Sequence, residues 1–318
     1  MNLLITGAWH EAKENISLFQ TEGHQVKYMQ YEQGELPCEP EWVEGIIGNG
    51  IFLFHPIEEF VNLHYIQLTS AGYDRVPMDY IMEHKIQIYN ARGVYSIPMA
   101  EFAVAGVLAL YKRLPGFQES QRNHEWQKRL DLLELSGKKV LVVGFGSVGQ
   151  ECAKRFRAFG TMILAADIKK PEMGIDVFYS MEHLPEALAR ADIVILTLPL
   201  MEMTKGLVDE KFFSVCNPGA ILVNISRGAI VKEKALVEAL RKGTLGGAVL
   251  DVFETEPLPV DSLLWNIPNV ILTPHNCFVS ECNDDRLTSV IYENLRSFLR
   301  WKVKHEADYG FPKEPNRI

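Results

Sequence analysis

Short apolar runs alternate with helical patterns along nearly the whole chain, and this alternation restricts the fold more than any other feature of the sequence. Apolar runs bounded by turn residues and separated by helical stretches read as strands feeding crossover helices in a parallel sheet. The runs fall into two series. NLLITG, a helical stretch to about Glu22, QVKYMQ, VEGIIG, HYIQLTS and KIQIYN make the first; KKVLVVGFG, TMILAAD, ADIVILTLP, AILVNIS, AVLDVFE and NVILTPH make the second. Between them lies PMAEFAVAGVLALYKRL, an apolar helix opening at Pro98, where a missing N–H does no harm. A long polar, helix-like run, GFQESQRNHEWQKR, follows it. The chain closes on DRLTSVIYENLRSFLRWKV, whose Leu287, Val290, Ile291, Leu295, Phe298 and Leu299 recur at helical spacing. The fold class is α/β, with two doubly wound parallel sheets.

A chain of 318 residues, 47% hydrophobic and 23% charged, has apolar material for two cores of ordinary size. The formal net charge of -9 offers no broad basic face, so no nucleic-acid partner is expected. The longest apolar stretch, Phe102 to Tyr111, is too short to span a bilayer, and no basic region precedes a long apolar run at the N-terminus. No membrane partner and a cytoplasmic location follow as expectations. Cys38, Cys152, Cys216, Cys277 and Cys282 are odd in number and scattered, without the spacing of a zinc site or a disulfide framework. Free thiols and no metal are expected.

The second series opens with VVGFGSVG, Val142 to Gly149. Alone, a glycine triplet is as consistent with a tight loop as with a ligand site. Here the strand KVLVV runs in, the helix VGQECAKRFRAFG runs out, and Asp167 closes the next strand about 20 residues on, the context of a dinucleotide-binding turn. Gly144 permits the turn, Gly146 lets backbone approach a pyrophosphate, and Gly149 lets the helix sit close to the strand. The N–H groups of Ser147 and Val148 face the phosphates at the positive helix end. Asp167 suits the adenosine ribose hydroxyls and repels a 2′-phosphate, favouring NAD over NADP, with Lys169 and Lys170 weakening that preference slightly.

Ligands of an open parallel sheet bind outside its carboxyl edge. Three later strands end there with chemistry-bearing residues: AILVNIS leads to Arg227, AVLDVFE to Asp251 and Glu256, and NVILTPH to His275. Reduction of a carbonyl needs a hydride at carbon and a proton at oxygen, and a histidine oriented by a carboxylate suits the second task. An arginine fork grips the carboxylate of a 2-keto acid. Taken singly, Arg227 fits a surface arginine, Glu256 a solvated loop acid and His275 a structural loop histidine. Asp251 fits either a holder of the nicotinamide carboxamide or polar support for the core.

GFGSVG with Asp167, NISRGAIV, LDVFETEPLP and LTPH together resemble the D-isomer-specific 2-hydroxyacid dehydrogenases in order and spacing, from TSAGYD to the final helix. The resemblance implies Arg227 as substrate binder, Glu256 as partner of the histidine and His275 as acid/base. It implies that Leu198, Pro199, Ile225, Ser226, Arg227, Asp251 and His275 line the NAD site, and that Ala71 and Gly72 in TSAGYD face the substrate with Arg227 and His275. It also implies a flavodoxin-like substrate domain, 1–97 and 280–318, interrupted by a Rossmann NAD-binding domain, 98–279, which explains the mid-chain glycine motif. The active site is then expected in the cleft between lobes. A homodimer built through the cofactor domains follows from the same resemblance, with the apolar helix and the arm around Trp126 as its interface; interdomain core is the alternative reading of both.

Two departures and one retained residue bear on the substrate, and neither departure identifies it. The family often has small residues after the catalytic histidine, whereas this chain has Asn276, Cys277 and Phe278. NARGVYSIPMAE differs from the commoner NAPG-like hinge at Arg92 and Tyr95. The acid at Glu256 is retained where the formate branch uses an amide, which argues against formate chemistry. The runner-up reading is a dinucleotide-sensing regulatory protein that uses the same fold without turnover.

Overall fold

The computed structural model describes residues 1–309; residues 310–318 of the expected substrate domain lie outside the described residues. The chain divides into two compact units, Met1–Val94 with the chain from Glu281, and Tyr95–Ser280. The sequence placed the boundaries at 97/98 and 279/280. The first differs because the apolar helix begins at Ser96 rather than Pro98, and because Tyr95 packs its ring against Phe278 of the same unit.

In the first unit, β1 (Asn2–Thr6), α1 (Ala12–Thr21), β2 (Gln25–Met29), β3 (Gly45–Gly48), β4 (Tyr65–Leu68), α2 (Met78–Glu83) and β5 (Gln87–Tyr89) follow in order. Among the described residues the sheet has five parallel strands in the order β2-β1-β3-β4-β5, the flavodoxin-like winding. Alternation along the strands sends Leu4, Ile46 and Ile66 into one core with Val43, Ile57 and Phe60. The closing helix, Asn283–Tyr309, covers another part of this unit. Its buried Leu287, Ile291, Leu295 and Phe298 keep the 3.6-residue period. Tyr292 stacks on Phe19 at 4.9 Å, and Phe298 lies 4.9 Å from Tyr65.

The second unit opens with α3 (Ser96–Tyr111), α4 (Leu114–Arg122), β6 (Lys139–Val143), α5 (Ser147–Arg157), β7 (Met162–Asp167), β8 (Val177–Ser180) and α6 (Leu184–Leu188). It continues with β9 (Ile193–Leu196), α7 (Glu210–Val215), β10 (Ala220–Asn224), α8 (Glu233–Arg241), β11 (Leu245–Leu250) and β12 (Val270–Leu272). Among the described residues the seven parallel strands are ordered β12-β11-β10-β9-β6-β7-β8, so the winding reverses between β6 and β9. Successive strand residues serve opposite cores. Leu141, Val143, Leu164 and Leu196 meet α6, α7 and α8, while Val140, Val142, Ile163 and Ile195 meet α3 and α5. Strands buried on both faces read as continuous apolar runs, which is why these segments were legible.

Two elements differ from the expectation. The polar run after α3 is helical only to Arg122; His124 has a left-handed backbone, φ 56°, which ends the helix. VFYS, an edge strand with only one buried residue, Tyr179, carries too little apolar pattern to be marked as β8. Among the described residues no helix is long and apolar enough to cross a membrane.

Candidate active site

The glycine turn joins β6 to α5 at the point where the winding reverses. Gly144 has φ +90°, a region costly for residues with a Cβ. A Cβ on Gly149 would lie 2.4 Å from the Gly144 carbonyl oxygen, so only glycine lets the helix approach the turn. Around Gly146 the same construction meets nothing within 4 Å, leaving the outer side of the turn open. No side chain caps the first turn of α5, which leaves Ser147 and Val148 at an uncapped positive helix end. Asp167 ends β7 and accepts hydrogen bonds from Phe145 N at 2.5 Å and Ile168 N at 2.6 Å. The carboxylate therefore braces the glycine turn directly. An open, donor-rich turn beside an acid fits a dinucleotide pyrophosphate and ribose.

Leu198 and Pro199 follow β9, the other strand at the reversal, and a Cβ on Gly144 would come within 3.0 Å of Leu198. Pro199 is exposed and Leu198 half-buried. These two residues stand beside the glycine turn.

Parallel register aligns the other candidates. Asn224 of β10 pairs with Leu250 of β11, and Leu250 with Leu272 of β12. Arg227, Asp251 and His275 therefore leave three adjacent strands within three residues of one line. The buried Asn224 shapes the first loop: its carboxamide oxygen accepts from Ser226 Oγ at 2.8 Å, and its NH2 donates to the Arg227 carbonyl at 3.2 Å. Ile225 and Ser226 are buried, so their expected contribution to a ligand site is confined to backbone. Half-buried Arg227 donates from Nη1 to the Ser226 carbonyl at 2.8 Å. A Cβ on Gly228 would fall 1.9 Å from the backbone of Phe253, so glycine there lets the arginine loop press against the loop that carries Glu256.

Glu256 accepts from His275 Nδ1 at 2.8 Å and from Phe253 N at 3.0 Å. A carboxylate on Nδ1 fixes the ring and leaves Nε2 for chemistry. His275 has φ +52°, a rare conformation for a residue with a side chain. Asp251 holds it there. The Asp251 carbonyl accepts from His275 N at 2.8 Å, while its carboxylate accepts from Thr273 Oγ1 at 2.6 Å, Asn276 N at 2.8 Å and Cys277 N at 3.0 Å. Asp251 is 0% exposed. A carboxylate enclosed and occupied in this way supports the loop, which favours the second of its two readings, polar support for the core, over a contact with the nicotinamide carboxamide.

The D-isomer specific 2-hydroxyacid dehydrogenase model for the NAD binding domain matches residues 104–277, which contain the glycine turn and all three edge loops. An (S)-sulfolactate dehydrogenase of Chromohalobacter salexigens is 32% identical over 248 residues, 76% of this chain and 80% of that protein. The chain belongs to the D-isomer specific 2-hydroxyacid dehydrogenase family. A D-3-phosphoglycerate dehydrogenase of Methanocaldococcus jannaschii is 34% identical over 253 residues, 78% of this chain; the match spans about half, 48%, of that longer relative. A solved D-isomer specific 2-hydroxyacid dehydrogenase family protein of Aeromonas salmonicida has 30% identity and a TM-score of 0.78, covering 93% of this chain and 95% of that one. These likenesses establish two parallel-sheet α/β domains, one of them the family's NAD-binding Rossmann domain.

TSAGYD, the stretch expected to face a substrate, lies in the first unit after β4. Asn90 Nδ2 donates to the Ala71 carbonyl at 2.7 Å, and Ser70 Oγ to the Gly72 carbonyl at 3.1 Å, so both peptide groups are tied in place. The sequence left Asp251 open between two readings and gave no sign of a second feature. The support role of Asp251 depends on hydrogen bonds to residues 22 to 26 positions away. A carboxylate within the first unit, Glu32, accepts from Thr6 Oγ1, Asn49 N and Gly50 N at 2.6 to 2.8 Å and anchors the loop after β3; nothing in its local sequence marks it.

Proposed function

We propose that this chain reduces 2-keto acids to D-2-hydroxy acids, and catalyses the reverse, with NAD(H) as redox partner. The observation that carries the reading is the His275 Nδ1 to Glu256 Oε2 hydrogen bond of 2.8 Å on a loop aligned by strand register with Arg227. The dinucleotide supplies or accepts the hydride when bound. His275 gives its Nε2 proton to the keto oxygen in reduction and takes the hydroxyl proton in oxidation. Glu256 orients the ring and supports its charged form during transfer. Arg227 binds the substrate carboxylate. The two directions use opposite protonation states of His275: the charged ring donates in reduction and the neutral ring accepts in oxidation.

The residues assigned to the dinucleotide are Gly144, Gly146, Ser147, Val148, Gly149 and Asp167, with Leu198, Pro199 and the backbone at Ile225 to Arg227. Asp167 favours NADH over NADPH by charge repulsion with a 2′-phosphate. The second unit also supports a homodimer: α3 is apolar on nearly all sides, and Trp126 and Leu130 of the arm after α4 are 96% and 97% exposed. Five cysteines outside any disulfide fit a reducing, cytoplasmic compartment.

Following NADH loss with a panel of 2-keto acids tests the activity. Turnover of at least one member is expected, with NADPH a poorer cofactor. NADH binding with no member turned over would replace the enzyme reading with the dinucleotide sensor, which the dehydrogenase names of the relatives do not favour.

A further inference from the structure

The two departures from the family pattern noted in the sequence, Tyr95 and Phe278, come together in the second unit. Their rings meet edge to face, with centroids 5.7 Å apart and planes at 85°. Phe278 also meets His275, at 6.1 Å and 88°. The phenyl ring is thus held in one orientation by two perpendicular partners, one of them the imidazole assigned to proton transfer. It is held there without being buried, since 37% of its surface remains exposed. Aromatic pairs of this geometry are favourable beyond their buried area and restrict ring rotation. The loop is rigid as well, because Asp251 takes the N–H groups of Asn276 and Cys277 immediately before Phe278.

A large apolar face fixed next to a proton donor has consequences for what can bind there. A substrate whose tail is only hydrogen, or carries charge, leaves that face wet or must lose hydration against it. A tail with an aromatic or branched aliphatic group removes the face from water. We propose that the Tyr95–Phe278 pair is a specificity wall that selects 2-keto acids with a bulky apolar side chain over glyoxylate and over 2-keto dicarboxylates. The assignment rests on the dehydrogenase reading of His275 and Arg227. No added covalent step is involved: the wall acts on which keto acid is held, and reduction proceeds as above.

The test uses the full chain with NADH and three substrates: phenylpyruvate, glyoxylate and oxaloacetate. The expected result is a kcat/KM for phenylpyruvate at least about 10-fold above either of the others, in the range that apolar side-chain recognition reaches. Phe278→Ala should reduce the phenylpyruvate to glyoxylate ratio by about 10-fold, and Phe278→Leu, which keeps an apolar face, should retain most of it. A preference for glyoxylate or oxaloacetate, or a ratio unmoved by Phe278→Ala, overturns the proposal. Titrating phenylpyruvate into the protein–NADH complex separates the two readings. Saturable binding that Phe278→Ala weakens, without turnover of any keto acid, removes the dehydrogenase reading and upholds the apolar wall; absence of both binding and turnover removes both.

Discussion

The glycine turn at 144–149 and the histidine loop at 273–277 lie on the same sheet edge of the second unit, yet they are shaped in opposite ways. The turn is defined by side chains that are absent: Gly144 takes φ +90°, and Gly149 leaves the space that a Cβ 2.4 Å from a carbonyl oxygen would fill. The loop is defined by one side chain that is present and fully enclosed. Asp251 takes hydrogen bonds from Thr273 Oγ1, Asn276 N and Cys277 N through its carboxylate and from His275 N through its carbonyl, and thereby keeps His275 at φ +52°. Local steric rules suffice to build the turn. The loop needs a distant residue, which is the kind of support that strained backbone at functional sites requires.

The comparison predicts different failures. His275→Ala should lower kcat by about 10²- to 10⁴-fold, the usual contribution of a general acid–base. NADH affinity, measured by fluorescence titration, should change little, because the glycine turn carries most of it. Loss of NADH binding together with turnover would mean that the two regions are not separable as described.

Asp251→Ala should strike stability as well as rate. It leaves the half-buried Thr273 hydroxyl, the N–H of exposed Asn276 and the buried N–H of Cys277 without their acceptor, and the buried orphan at Cys277 alone costs about 1–3 kcal/mol. A urea-unfolding midpoint equal to that of the unmodified protein would show that the loop does not depend on this carboxylate. Gly149→Ala should do the reverse, weakening NADH binding through a displacement worth about 1–3 kcal/mol, with the histidine loop intact. Finding the larger NADH defect in Asp251→Ala would invert the comparison.

The smallest effect concerns thiol chemistry. Burial, and then the hydrogen bond to Asp251, push the Cys277 thiol far above its ordinary range, and burial pushes Cys152 up to about 12. Raised values leave almost no thiolate at pH 8, so iodoacetamide should modify exposed Cys282 well before either. In Asp251→Ala, Cys277 should become the faster of the two buried thiols to react, as read by peptide mass mapping after timed quenching.

The sequence by itself determined the α/β class, the strand series and the glycine turn, because these depend on nearest-neighbour rules: apolar runs for strands buried on both faces, and glycine where a Cβ cannot fit. It also marked Arg227, Glu256 and His275 as strand-end residues, and Phe278 and Tyr95 as unusual. VFYS escaped because an edge strand with one buried residue has no pattern to follow. Only the tertiary structure brought Glu256 to His275 Nδ1, set Phe278 between His275 and Tyr95, and enclosed Asp251 beneath the loop. A strand-end aspartate looks the same in sequence whether its carboxylate meets ligand or backbone. Which of these it does is decided by how a neighbouring strand's loop folds over it, and that depends on register between segments more than twenty residues apart.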